Sequence, residues 1–196
     1  MEEMMRYTPA EQLYKIGLDY LNGTTHINEK RIKDKIVAME FFRAAADKGS
    51  PDALRVLKKL ALNDKPGNRQ IRFMAIEKLS NQEVLAKIAL NDTDVGIRGA
   101  AVDSLTDQNA LFKVASKQHG LFPEEYEAKV RSDAVRKISK KDLLKRIING
   151  GEKFVCNWWR PGHSYMEFEL PDVYGTVDLR EIAREQLAEI EANEVN

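Results

Sequence analysis

Apolar side chains recur between residues 71 and 147 in three blocks with the same internal spacing. Ile71, Ala75, Leu79, Leu85 and Ile88 make the first. Ile97, Ala101, Leu105, Leu111 and Val114 make the second, and Val130, Ala134, Ile138, Leu144 and Ile147 the third. Every block runs at offsets 0, 4, 8, 14 and 17 from its first residue. The first three offsets put one stripe on a helix, because residues four apart lie one above the other. Polar pairs then interrupt the pattern (Ser80-Asn81, Thr106-Asp107, Ser139-Lys140), and the last two offsets open a stripe on a second helix. The blocks start 26 and then 33 residues apart, the extra seven residues being absorbed around the stretch 118–123. Helices this short cannot bury their apolar faces alone, so each pair is expected to stack on the next. Ala75, Ala101 and Ala134 mark where helices of neighbouring pairs approach closely.

Helix boundaries follow from capping chemistry. Asp94 precedes the second block, and Ser139-Lys140-Lys141-Asp142 has the form of a capping box. Thr8-Pro9-Ala10-Glu11 reads as another, with Pro at the first helical position. Gly49 ends one helix and Ser50-Pro51 starts the next. Residues 63–68, Asn-Asp-Lys-Pro-Gly-Asn, are a loop and a junction.

After Asn149-Gly150-Gly151 the period changes from helical to alternating. Phe154, Cys156 and Trp158 alternate, Arg160-Pro161-Gly162-His163 supplies turn residues, and Met166, Phe168 and Leu170 alternate again. The pattern predicts a β-hairpin with one apolar face. An isolated hairpin is marginal in water, so that face should dock on the last helix pair. Asp178-Leu179-Arg180-Glu181 then caps an acidic helix running towards Ala192.

Two stretches carry family resemblances. Residues 88–115, with Ile97-Arg98, Ala100, Ala101 and Leu105-Thr106-Asp107, resemble HEAT-type repeats of the short bacterial kind. The blocks at 71–90 and 130–148 match more loosely, lacking that Asp. The resemblance implies that Arg72, Arg98 and Arg131 support the turn between helices. Residues 11–54 resemble one Sel1-like repeat: Ile16-Gly17, Tyr20 and Gly23 fill its first helix, and Ala38, Phe42, Ala45, Ala46 and Gly49 its second. Ile16 stands where that family has Leu. With one full unit present, it is expected to cap the HEAT-like stack.

Composition changes this picture in one respect only. The 196 residues carry 31 basic and 31 acidic groups, so overall charge points to neither nucleic acid nor an anionic membrane. Locally the charges separate. Residues 151–196 sum to −6 and residues 1–150 to +6, with eight basic residues between Lys129 and Arg146. Opposite blocks so close in sequence suggest that the acidic helix docks near the basic stretch.

Candidate chemistry is sparse. One cysteine excludes an internal disulfide framework. His26, His119 and His163 lack metal-ligand spacing, and Gly150-Gly151 is not followed by Lys-Ser or Lys-Thr, so neither metal nor cofactor is expected. Cys156, His163 and Asp172 allow a nucleophile–base–orienter set to be drawn. The plainer reading of Cys156, on an apolar face, is a small buried hydrophobe. No signal peptide and no membrane-length apolar run is visible, which makes a cytoplasmic protein the default expectation.

The expected fold is therefore all-α: a right-handed α-α superhelix, or helical-repeat solenoid, with a small β-hairpin and helix as its tail. Its parts are 1–62 (Sel1-like unit), 63–150 (HEAT-like repeats) and 151–196 (hairpin and acidic helix). Solenoids present an extended inner surface made by the second helices, so a non-catalytic scaffold or adaptor binding a protein or peptide is the leading function. Lys87, Lys113, Lys117, Lys141 and Lys145 fall on exposed positions of those helices and suit an acidic or extended peptide. The plainer reading is that they only solubilise the surface. The alternative function is nucleic-acid binding or DNA repair through the basic 129–146 stretch, with Trp158-Trp159 nearby.

Overall fold

Eleven helices carry most of the chain in a computed structural model that describes residues 1–27, 30–32, 34–63, 69–117, 125–160, 164–165, 168–169 and 173–195. In order they are α1 (Glu2–Tyr7), α2 (Ala10–Asn22), α3 (Lys35–Asp47), α4 (Pro51–Ala61), α5 (Arg69–Ile76), α6 (Gln82–Asn91), α7 (Val95–Ser104), α8 (Gln108–Ser116), α9 (Glu125–Arg136), α10 (Lys141–Ile148) and α11 (Leu179–Val195). Six short strands are β1 (Thr25–Ile27), β2 (Lys30–Ile32), β3 (Val155–Arg160), β4 (Ser164–Tyr165), β5 (Phe168–Glu169) and β6 (Val173–Asp178). The protein is mostly helical with small antiparallel two-stranded sheets. It divides into two compact units, Met1–Leu85 and Ala86–Asn196, the boundary falling inside α6.

In the first unit α2 and α3 pack face to face. Leu13, Phe41, Ala45 and Ala53 form its core, with Tyr14 and Tyr20 packed against it. Tyr20 stacks on Phe41 at 5.6 Å. Gly17 makes the crossing possible, because a Cβ there would stand 2.7 Å from the Phe42 ring. Gly49 ends α3 with φ +83°, a conformation that side chains with a Cβ rarely adopt. Ser50 caps α4 by accepting from the Ala53 N–H at 3.2 Å, with Pro51 at the first helical position. The β1–β2 pair between α2 and α3 was not foreseen from the sequence.

The second unit follows the repeated spacing. α9 packs on both α7 and α8, and α10 packs on α8, so like helices lie on like. Ala75, Ala101 and Ala134 are fully buried, as close helix approach requires. Asp94 caps α7 through the N–H groups of Gly96 and Ile97 (2.8 and 3.2 Å), and Asp107 caps α8 through Ala110 at 2.7 Å.

Each block's arginine is buried and aimed at the carbonyl end of an earlier helix. Arg72 Nε donates to the Ala61 carbonyl at the end of α4 (3.0 Å), and Arg131 Nε to Ala115 in α8 (2.9 Å). Arg98 donates to the Asp92 carbonyl just beyond α6 and grips the buried Glu127 of α9 through two oxygens at 2.7 and 2.8 Å. Helix ends leave carbonyls without partners, and a guanidinium brings enough donors to serve them.

Two expected capping boxes do not form. α2 starts at Ala10 with Pro9 before it, and the Thr8 hydroxyl instead donates back to the Met4 carbonyl of α1 at 2.7 Å. Lys140, not Ser139, precedes α10. Ser139 has another partner: Gln108 of α8 accepts from its N–H at 2.7 Å through Oε1 and donates to the Lys137 carbonyl at 3.2 Å through Nε2. At Thr8 the hydroxyl is taken by the end of the helix before it, and at Ser139 a partner 31 residues away holds the turn.

The tail also differs from expectation. The partner of β3 is β6, not residues 166–170, with Cys156 opposite Val177 and Asn157 opposite Thr176. β4 and β5 form a separate short pair. β6 runs straight into α11, whose Leu179 and Ala183 are fully buried, so seating that helix seats the strand. α11 packs on α9 and α10, and its N-terminus is capped by Asp178 accepting from the Arg180 N–H at 2.9 Å. Phe154, just before β3, and Cys156 within it are buried against the helices, with Phe154 6.3 Å from the Phe112 ring of α8. The loops expected at 64–68 and 118–123, and the turn residues 161–163, fall outside the described residues.

Removing the cation of the buried Arg98–Glu127 pair takes from a buried carboxylate the guanidinium that both its oxygens accept from. Arg98→Ala should cost about 3–5 kcal/mol in urea unfolding, whereas Arg98→Met with Glu127→Leu should recover most of that loss.

Candidate functional site

The five lysines singled out from the sequence lie on three second helices, α6, α8 and α10, and on the residue after α8, and the structure treats them differently. Lys87, Lys113 and Lys145 are exposed. Lys117 is half-buried, its ammonium donating to the Leu90 carbonyl and, at 3.4 Å, to Asn91 Oδ1 at the end of α6. Lys141 is half-buried and paired with Glu194 of α11. Lys113 and Lys117 line a common groove, while Lys141 is engaged by the chain's own tail.

Sequence reasoning missed Arg146. Within the repeated block, the third residue of the 14–17 interval is Lys87 in the first, Lys113 in the second and Arg146 in the third. A basic side chain thus recurs at one repeat position, and Lys145 is its neighbour. The alignment that produced the blocks contained this signal. The Arg146 guanidinium lies 4.3 Å from the centroid of the Phe112 ring, which holds both in place. One turn earlier the same face carries Glu83, Asn109 and Asp142, so the basic ladder belongs to the C-terminal half of each helix. There it also complements the helix dipole.

Between α6 and α8 an open groove of about 440 Å³ is lined by Leu90, Asn91, Phe112, Lys113, Ser116 and Lys117. Its lining holds two lysines and no carboxylate. The basic stretch 129–146 is broken up by comparison. Lys129 and Arg136 pair with Asp133, Arg131 is buried, Lys137 bonds the Asp103 carbonyl, and Lys141 pairs with Glu194.

The nucleophile drawn from the sequence is sealed. Cys156 is fully buried, and its Sγ accepts from Arg131 Nη1 at 3.0 Å. Burial pushes the Cys156 thiol up, Arg131 opposing and the charges of Glu127 and Asp178 adding to the rise. Burial also lowers the Arg131 guanidinium from its ordinary value, the Cys156 and Glu127 charges opposing. His163 and Asp172 lie outside the described residues, as does His119, and nothing is described of the side chains of His26, Trp158 and Trp159. At the base of α11 the Arg180 side chain, hydrogen-bonded to Asp178 at 2.6–3.1 Å, holds that carboxyl below its usual range. Among the described residues no three His, Cys, Asp or Glu side chains gather as a metal site, and no helix is long and apolar enough to cross a membrane.

Comparison with models of known families, with curated proteins and with solved structures finds no match to this chain.

Cys156 should react with iodoacetamide at least tenfold more slowly in the native chain than in urea. The folded state keeps the thiol proton to higher pH than the unfolded chain does. Stability is therefore at its full value below the ordinary thiol value of 9.0 and should decline as pH rises through the raised folded value. Unfolding measured across that range should lose this slope in Cys156→Ala.

Proposed function

We propose that the chain is a non-catalytic scaffold that binds an acidic, extended peptide segment of a partner protein along its second helices. In this reading the repeats are HEAT-like, a Sel1-like unit precedes them, and the whole winds as a right-handed superhelix. The stacking of like helices on like in the second unit supports it. The observation that carries the function is the ladder of Lys87, Lys113 and Arg146, beside a groove whose lining has no carboxylate. The ammonium groups of Lys87, Lys113 and Lys145 have no hydrogen-bond or ion-pair partner among the described residues, so their charge is free to meet an anionic ligand. Lys117 and Lys141 contribute less, because each already has an internal partner.

The nucleic-acid alternative draws on the 129–146 stretch, where pairing and burial disperse the cationic field. Duplex binding needs several unpaired cations tracking a phosphate backbone.

Panning a displayed random dodecapeptide library against the intact chain tests the proposal. Enriched sequences should be richer in Asp and Glu than the input, and Lys87→Glu with Lys113→Glu should weaken their binding tenfold or more. Enrichment of neutral or basic sequences, or insensitivity to the reversal, would overturn it. Salt-dependent retention of a short duplex would favour the alternative.

A further inference from the structure

We infer that the groove between α6 and α8 is the anchor subsite of this face, made for a bulky apolar side chain on a peptide whose carboxylates recur about every third residue. The inference rests on the peptide-binding reading above and specifies its ligand.

Away from Lys113 the groove is apolar, and its other polar groups already have partners. Leu90 and Phe112 supply the apolar surface. The Ser116 hydroxyl donates to the Phe112 carbonyl at 2.7 Å, and the Asn91 amide donates to the Lys87 carbonyl at 3.1 Å. The Lys117 ammonium is held by Leu90 and Asn91. A polar ligand group set against Leu90 and Phe112 would lose water partners there, whereas an apolar group loses nothing and leaves Lys113 for a carboxylate beside it. The floor is also preorganised: Arg146 lies over Phe112 at 4.3 Å and Phe154 packs beside it at 6.3 Å.

The spacing of carboxylates follows from the stack. Packed helices lie roughly 8–10 Å apart, so equivalent side chains of successive second helices recur at about that distance. A chain in the polyproline II form advances about 3.1 Å per residue and returns to the same face every third residue, which makes three residues per rung. Lys113 stands in the lining of the groove, with Lys87 and Arg146 at the equivalent position of the neighbouring blocks. The ligand is then a segment in that form with a Leu- or Phe-like anchor near a carboxylate that meets Lys113, and further carboxylates three residues away in each direction.

Fluorescence anisotropy with the intact chain and three labelled decapeptides tests this. One carries a central Leu with Glu at three-residue spacing, one has Ser in place of the Leu, and one has the same composition with its Glu residues contiguous at one end. The first should bind at least tenfold more tightly than either of the others. Ser116→Phe, which fills the groove from a half-buried position, should erase that preference. Lys113→Glu should weaken all three. The Leu-to-Ser comparison uses the unmodified protein and so stands even if Ser116→Phe misfolds.

Equal affinity for all three peptides, lost on Lys113→Glu, would overturn the anchor while leaving the acidic-peptide reading in place. Binding by none of them would remove both. Self-association at micromolar concentration, abolished by Ser116→Phe in sedimentation equilibrium, would show a second copy of the chain as the occupant and overturn the proposal.

Discussion

A guanidinium buried beneath the carbonyl end of an earlier helix is the interaction on which the repeated part of this protein depends. A helix C-terminus leaves several carbonyls unpaired, and in a tight stack water cannot reach all of them. Arg72, Arg98 and Arg131 answer this three times, reaching Ala61, Asp92 and Ala115. Each pays in desolvation, and each meets the cost differently. Arg98 has the Glu127 carboxylate, while Arg131 has the Lys153 carbonyl and the Cys156 sulfur. A lysine could not substitute, because its point charge lacks the planar fork that reaches several acceptors at once. The clamp is therefore both a spacer and a register pin. It sets how far one helix stands from the next, and it does so from inside the core.

With these arginines turned inward, Lys87, Lys113, Lys145 and Arg146 stay on exposed positions of α6, α8 and α10. Between α6 and α8 the groove opens beside them, with Leu90 and Phe112 in its lining. Phe112 belongs to both worlds: one edge meets Phe154 in the core, and its face meets Arg146 at the surface. The reactive-looking groups went the other way. Cys156 was drawn into the arginine's coordination, where burial keeps its thiol protonated.

The tail finishes the stack. A two-stranded sheet has little stability of its own, so β3 and β6 depend on the helices they lean on. Phe154, Cys156 and Leu179 provide the buried contact, and Ala183 continues it along α11. The acidic helix thereby lies on α9 and α10, and Glu194 occupies Lys141. The separation of charge along the chain thus has a local outcome at this contact, where a basic helix and an acidic one meet.

Periodicity determined a good deal. The helix pairs of 71–148, the buried alanines at 75, 101 and 134, Gly49, Ser50-Pro51 and Asp94 were all legible, because each expresses a rule acting within one or two helical turns. The basic face was legible in outline, with Arg146 hidden only by choosing its neighbour Lys145. Tertiary structure decided the rest. Ser139 left its expected cap for Gln108, which the fold brings near from 31 residues away, whereas the Thr8 hydroxyl was taken locally by Met4 at the end of α1. β3 took β6 instead of the nearer strand. Lys117 and Lys141 were claimed by other helices. The physical reason is common to all of these. A hydrogen bond or ion pair goes to whichever partner the packed backbone presents, and apolar spacing says which face is buried but not which distant atom will lie across from it.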